Sequence, residues 1–186
     1  MAFIRKTLIA AAASALMGVS VGNALAENQM VGGAEMYADK NIVENAVNSK
    51  DHTTLVAAVK AAGLVDTLAS GGPFTVFAPV NAGFDKLPAG TVETLLKPEN
   101  KDMLVKVLTA HVVAGKISGK SLIARIKANG GSYNMSTVSG DALTAKIRGK
   151  SIYIYDESGG ASRVSISDVN QSNGVIHVVN NVLVPK

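Results

Sequence analysis

The chain ends in NGVIHVVNNVLVPK, Asn173 to Lys186, and this segment decides how the rest is read. Six of its fourteen residues are Val or Ile, four of them between Val175 and Val179, which suits a strand. In a strand Val175, His177 and Val179 point to one face and Ile176 and Val178 to the other. Both sets are apolar, so the segment is expected to be buried on both sides. His177 could then be a catalytic base, a metal ligand or part of a core. Its neighbour at i+2 is Val179, which ligates nothing. A charged imidazole between two apolar layers is costly, so the expected state is a neutral ring hydrogen-bonded to a backbone or hydroxyl group. His111, directly before Val112 and Val113, reads the same way. His52 falls in the first turn of a helix and reads as exposed and inert.

Working back from the C-terminus, four more strand-like segments appear: SYNMSTV from Ser132, ALTAKIR from Ala142, SIYIYDE from Ser151 and RVSISDV from Arg163. RGKS at 148–151 and SNG at 172–174 carry turn chemistry. The earlier half is mostly helical. Ile42, Val43, Ala46 and Val47 share one face. Asp51 is placed to cap a second helix with a stripe of Leu55, Val56, Val59 and Ala62, and Gly63 is placed for a left-handed end. Further helices carry Val92, Leu95 and Leu96, then Met103, Leu104, Val107 and Leu108, then Leu122, Ile123 and Ile126. Among them FTVFAP, Phe74 to Pro79, follows the Gly71-Gly72-Pro73 break as a strand, and HVVAGKI at 111–117 as another. Helices come mostly first and strands mostly last. That order predicts an α+β fold with an antiparallel or mixed sheet, not a doubly wound parallel one.

The first residues read differently. Arg5 and Lys6 precede an apolar, Ala-rich run that closes on Ala24-Leu25-Ala26. This is the layout of a secretory signal peptide, residues 1–26, cut after Ala26. The run is too short for a membrane span, which needs roughly 20 residues. Residues 27–38 contain Gly32-Gly33 and few large apolar side chains, and are expected to be a flexible leader into one domain over 39–186. Loss of Arg5 and Lys6 from 18 basic residues against 14 acidic ones lowers the net charge from +4 to +2. No run of Lys or Arg forms a nucleic-acid footprint. The chain has no Cys, hence no disulfide, no thiol nucleophile and no lipid-bearing cysteine.

Catalytic and metal patterns are missing from the sequence. There is no Gly-x-Ser-x-Gly elbow, no His-x-x-x-His or His-Glu-x-x-His, and no phosphate-cradling loop with its Lys. Asp168, Asn170 and Ser172 have the alternate spacing of a calcium loop. Asn173 then stands where glycine is needed and Val179 where a bidentate carboxylate is needed. A turn before the last strand explains these residues better. No cofactor and no metal are expected.

Three segments resemble the fasciclin (FAS1) domain family. FTVFAPVNAGFDKLP at 74–88 is similar to its first signature, and NGVIHVVNNVLVPK to its second. VLTAHVVAGKIS at 107–118 is similar to the segment between them. The likeness runs from Asp39 to Lys186, with departures at Val80, Ala110 and Asn180, where the family often has Thr, Tyr and Asp. No Arg-Gly-Asp is present. The resemblance implies a wedge of β-strands with helices mainly in the N-terminal half. It implies structural roles for Thr75, Phe77, Pro79, Asn81, Phe84, His111, Gly174, His177 and Pro185. Pro79 and Asn81 would fix the turn after the strand, Asn81 as its cap. It further implies a non-enzymatic adhesion module, secreted or periplasmic, sometimes symbiotic. Such a module would be a monomer that contacts a cell-surface or matrix protein or polysaccharide, without stable membrane insertion. Composition leaves two other readings open: a carrier of a small apolar ligand held between helices and sheet, and a hydrolase.

Overall fold

A computed structural model describes residues 28–186. The segment read as a signal peptide and its cleavage point lie outside those residues. The first described elements are β1 (Gln29–Val31) and β2 (Ala34–Met36), an antiparallel hairpin. This corrects the expectation of a leader without structure. Gly32 and Gly33 take positive φ in the two-residue turn, and Val31 and Met36 are buried in the core under the helices. Two apolar side chains separated by a turn leave no periodic signal to detect.

α1 (Ile42–Ala46) starts at a capping box. The Asn41 side chain accepts from the Val43 and Glu44 amides, and the Glu44 carboxylate accepts from the Asn41 amide. A 3-10 turn over Lys50–His52 leads into α2 (Thr53–Ala62), which Gly63 closes at φ 71°. Asp51 makes no cap there, because the 3-10 turn separates it from the helix. α3 (Val65–Ala69), β3 (Phe74–Pro79), α4 (Asn81–Phe84), α5 (Thr91–Leu95) and α6 (Lys101–Thr109) follow. β4 (Val112–Ala114) and α7 (Gly119–Ala128) come next, then β5 (Ser132–Ser136), β6 (Ala142–Arg148), β7 (Ser151–Tyr155), β8 (Ala161–Gln171) and β9 (Gly174–Val179). Val47, Met103 and Ile123, placed inward by periodicity, are exposed. Each helix is short and presses only a narrow face on its neighbours; in α7 that face is Leu122 and Ile126.

The seven-stranded sheet runs β4-β3-β9-β8-β7-β6-β5. β3 and β9 pair in parallel and all other neighbours are antiparallel, so the sheet is mixed. A bridge from Val113 to Thr137 draws the two ends of the sheet together into a nearly closed wedge. Two cores result. Inside the curl lie Phe77, Leu122, Ile126, Leu143, Ile154 and Leu183. Outside it, Val76, Ala78, Ile176 and Val178 meet the helical layer. β3 and β9 therefore serve both cores through their two faces, which is why the C-terminal strand is apolar on both sides. Each such large apolar side chain contributes about 1.5–3 kcal/mol when fully buried. Close backbone approach fixes one residue type at the start of β9: any Cβ on Gly174 would collide with the Phe74 carbonyl oxygen.

Candidate functional site

Phe77 and His177 lie opposite each other in the parallel β3–β9 pair, and their rings stack at 5.6 Å. His177 is fully buried. Its Nε2 donates to the Ile117 carbonyl at 2.8 Å, and its Nδ1 accepts the Asp168 amide at 3.3 Å. These two bonds define one neutral tautomer. Burial pushes its pKa down, against smaller opposing effects of the Ile117 carbonyl and the Asp168 carboxylate. Asp168 stands at φ 61° where the β8–β9 register is irregular, and its carboxylate accepts the Gly119 amide at the start of α7 at 2.7 Å. Thr75, one strand position from Val76, is buried too. Its hydroxyl donates to the Gly115 carbonyl at 2.6 Å and accepts the Ile117 amide at 2.9 Å. Thr75 and His177 thus hold the two sides of the Ile117 backbone, one from each parallel strand.

His111 forms a second tie. Its Nδ1 donates to the Val107 carbonyl at 2.8 Å and its Nε2 accepts the Leu183 amide at 2.8 Å. Burial lowers its pKa to about 4. This bond fastens the C-terminal tail to the end of α6. Pro185, two residues beyond Leu183, is half-buried. Neither His111 nor His177 reaches a hydroxyl group or an acid through its ring nitrogens, so neither is set up to activate a nucleophile.

His52 corrects the sequence reading. It is buried at 3% exposure, not exposed, because the 3-10 turn rotates it toward the sheet. Its Nδ1 lies 2.8 Å from the Ser49 hydroxyl, and Nε2 faces the Ala78 backbone without a partner in hydrogen-bonding geometry. Burial lowers its pKa. His52 borders a cavity of about 50 Å³ between the helices and the sheet, whose walls are almost wholly apolar, including Val59, Leu68, Val76 and Ile176. That is about a third of the 150 Å³ at which an apolar cavity takes up benzene.

Asn81 is also placed differently from expectation. Its own helix, α4, has Val80 at the cap and no side-chain bond there. The Asn81 side chain instead accepts the Thr54 amide at 3.0 Å and donates to the Lys50 carbonyl at 2.8 Å. It caps α2 from 27 residues away. Pro79 closes β3 opposite Val179, and Phe84 is buried in the helical-side core. Two asparagines that sequence reasoning passed over are equally connected. Asn173 accepts the Ile42 amide at 3.0 Å and donates to the carbonyls of Leu68 at 2.7 Å and Ser70 at 2.8 Å, joining α1 and α3 to the sheet. Asn45 is fully buried, bonded to both the amide and the carbonyl of Tyr37 and to the Gln171 side chain. The available signal was its position three residues after Ile42, on the buried stripe of α1.

Among the described residues, no group of three or more His, Asp or Glu side chains could hold a metal ion. The Asp168–Ser172 segment runs through the bulge and end of β8, and Asn170 donates back to the Asp168 carbonyl. Among the same residues no helix is long and apolar enough to cross a membrane.

A family model described as the fasciclin domain matches residues 50–185. The chain belongs to the fasciclin domain family. The match takes in the Thr75, His111 and His177 ties and starts beyond the β1–β2 hairpin and α1. The fasciclin domain described here is similar to Protein sll1483 of Synechocystis sp., at 49% identity over 144 residues, covering 77% of this chain and 73% of that protein. It is similar to Immunogenic protein MPB70 of Mycobacterium bovis at 32% identity, covering 98% of this chain and 96% of that one. Among solved structures, a FAS1 domain pair from the insect cell adhesion molecule fasciclin I matches with a TM-score of 0.68 at 19% identity. That match covers 77% of this chain and half of that one, and it establishes the shared fold.

Proposed function

We propose that this fasciclin domain is an exported, non-enzymatic binding module that contacts cell-surface or extracellular macromolecules, protein or polysaccharide. The observation that carries the reading is the state of the three histidines, all buried and two of them with both ring nitrogens bonded to backbone groups. The polar residues of the signatures are spent on holding strands and loops together, which leaves the exterior to do the work. The insect protein that shares the fold is a cell adhesion molecule. Arg5, Lys6, the apolar run and Ala24-Leu25-Ala26 support export through a cleaved signal, to the periplasm or beyond.

The test is to immobilise the purified protein and present whole cells, matrix proteins and a panel of glycans. Saturable binding to at least one class is expected; saturable binding to none overturns the reading. Carriage of a small apolar ligand is disfavoured by the 50 Å³ cavity. Native mass spectrometry of the purified protein is expected to show no bound mass of lipid size. A hydrolase is disfavoured by the enclosed histidines, and a broad ester and glycoside screen is expected to stay at background.

A further inference from the structure

The helical layer covers only part of the outer surface of the curled sheet. No residue of β5, β6 or β7 belongs to the core beneath those helices. The inward positions of these strands, Met135, Leu143, Ala145, Ile152 and Ile154, fill the inner core. The alternate positions therefore face solvent.

Register arranges those outward residues in rows. Ser132, Lys146, Tyr153 and Arg163 are successive cross-strand partners. Asn134, Thr144, Tyr155 and Ala161 form the next row. Arg148 extends the face along β6. Lys146, Arg148 and Arg163 are exposed, and these outward positions carry no Asp or Glu. The acids at the neighbouring strand ends are already engaged. Asp156 accepts the Gly160 and Val184 amides, Glu157 the Ala142 amide, and Asp141 the Ser139 hydroxyl. Among the described residues the only ion pair is Lys106–Asp141. The three cations of the face have no acidic partner.

Two tyrosines hold two of these cations, Lys146 and Arg148, in place. Lys146 Nζ stands 5.3 Å and Arg148 Cζ 5.1 Å from the Tyr155 ring centre, and Arg148 Cζ lies 5.8 Å from that of Tyr153. Holding long side chains in place beforehand reduces the ordering cost when an anion binds. Strand geometry sets Lys146 and Arg148 about 7 Å apart, and Lys146 and Arg163 about 10 Å apart across β7. Ser132, Asn134, Thr144 and Ser151 place hydroxyl and amide groups among them.

We infer that this uncovered face binds a carboxylate-bearing polysaccharide. The inference rests on the binding-module reading above. Guanidinium groups pair with carboxylates in fork geometry, and the hydroxyl and amide groups suit sugar hydroxyls. A single-stranded nucleic acid would need open aromatic faces for base stacking. Here cations stand over the Tyr155 ring. A protein partner would need a free aromatic or aliphatic anchor at its centre, and here Arg148 stands over both tyrosine rings and Lys146 over that of Tyr155. The outward aliphatic residues here are only Ala142 and Ala161.

The test measures binding of the purified protein to polygalacturonate, with neutral dextran, poly-glutamate and single-stranded DNA beside it. Polygalacturonate is expected to bind, more weakly as salt rises, and more tightly than any of the other three. The combined variant Lys146→Gln, Arg148→Gln, Arg163→Gln is expected to lose about tenfold or more in affinity. Each single substitution is expected to lose part of that, so the comparison survives if the triple variant misfolds. Lys60→Gln, Lys101→Gln, Lys127→Gln, which removes the same charge from exposed positions of α2, α6 and α7, is expected to bind as the parent does. Tyr155→Leu is expected to weaken binding with all three cations present. No binding of polygalacturonate, equal binding of poly-glutamate or DNA, or equal loss in the helix variant overturns the inference. If polygalacturonate fails while cells, matrix proteins or another glycan still bind saturably, only this inference falls; if nothing binds, the module reading falls with it.

Discussion

His111 exchanges a carbonyl acceptor on one side for an amide donor on the other, and protonation breaks that match by placing a second N–H against the Leu183 amide. Its pKa in the fold is about 4, below the ordinary 6.5. A histidine held neutral contributes stability that is full above the unfolded pKa and is lost as pH falls through the folded one. Stability is therefore expected to drop between pH 6.5 and about 4, with His111 accounting for on the order of 3 kcal/mol once the loss is complete. His52 and His177, also shifted downward, add to the same slope. Urea denaturation at stepped pH measures this, and His111→Gln is expected to flatten the slope without abolishing it. For His177, replacement by Ala removes two hydrogen bonds and leaves a void beside Phe77. The expected cost is on the order of 1–3 kcal/mol. Binding of the partner by the folded fraction is expected to stay as in the parent. A fully stable variant that has lost binding would give this residue a functional rather than a structural role.

At the scale of elements, asparagines join segments that share no sequence proximity. Asn81 supplies the cap α2 lacks, since neither Ser49 nor His52 makes a side-chain cap bond in this turn. Asn81→Ala is expected to cost about 1 kcal/mol or more, and Asn81→Asp less, because the acceptor for the Thr54 amide is kept while the bond to Lys50 is lost. Thermal unfolding of both variants checks the order. The β1–β2 hairpin offers a second test. Met36 is 4% exposed and Met30 56%. Met36→Ala is expected to destabilise by about 2 kcal/mol or more, whereas Met30→Ala should stay within about 0.5 kcal/mol. Equal, small effects would mean that the hairpin contributes nothing to the fold.

At the scale of the molecule, the sheet divides the labour. β3 and β9 are enclosed by two cores and carry the polar ties, while β5–β7 enclose only the inner core and turn their other side to water. The enclosed half is where the family signatures lie. The open half, together with the first residues of β8, is where Lys146, Arg148 and Arg163 meet no acid. On the proposed reading, rigidity and recognition occupy different strands of one sheet. Substitutions on the open face are expected to alter binding and leave the melting temperature within a few degrees of the parent, since exposed positions away from special contacts change stability little.

Much of this was present in the order of residues. Strand-like runs separated by turn residues marked β5 to β8, and an apolar run on both faces marked β9 as doubly buried. The ordering of helices before strands marked the α+β class, and the Phe74–Pro88 and Asn173–Lys186 segments marked the family. These are local properties, set by how side chains alternate along a few residues of backbone. Only the tertiary structure decided that His52 turns inward, that Asn81 caps a helix other than its own, that Asn45 and Asn173 bind distant backbone, and that residues 29–36 pair. It also decided which strand faces the helices leave open. Each of these depends on which segments are brought side by side across the chain. A polar side chain of given type bonds whatever orphaned donor or acceptor the packing delivers to it, and local pattern carries no record of that partner.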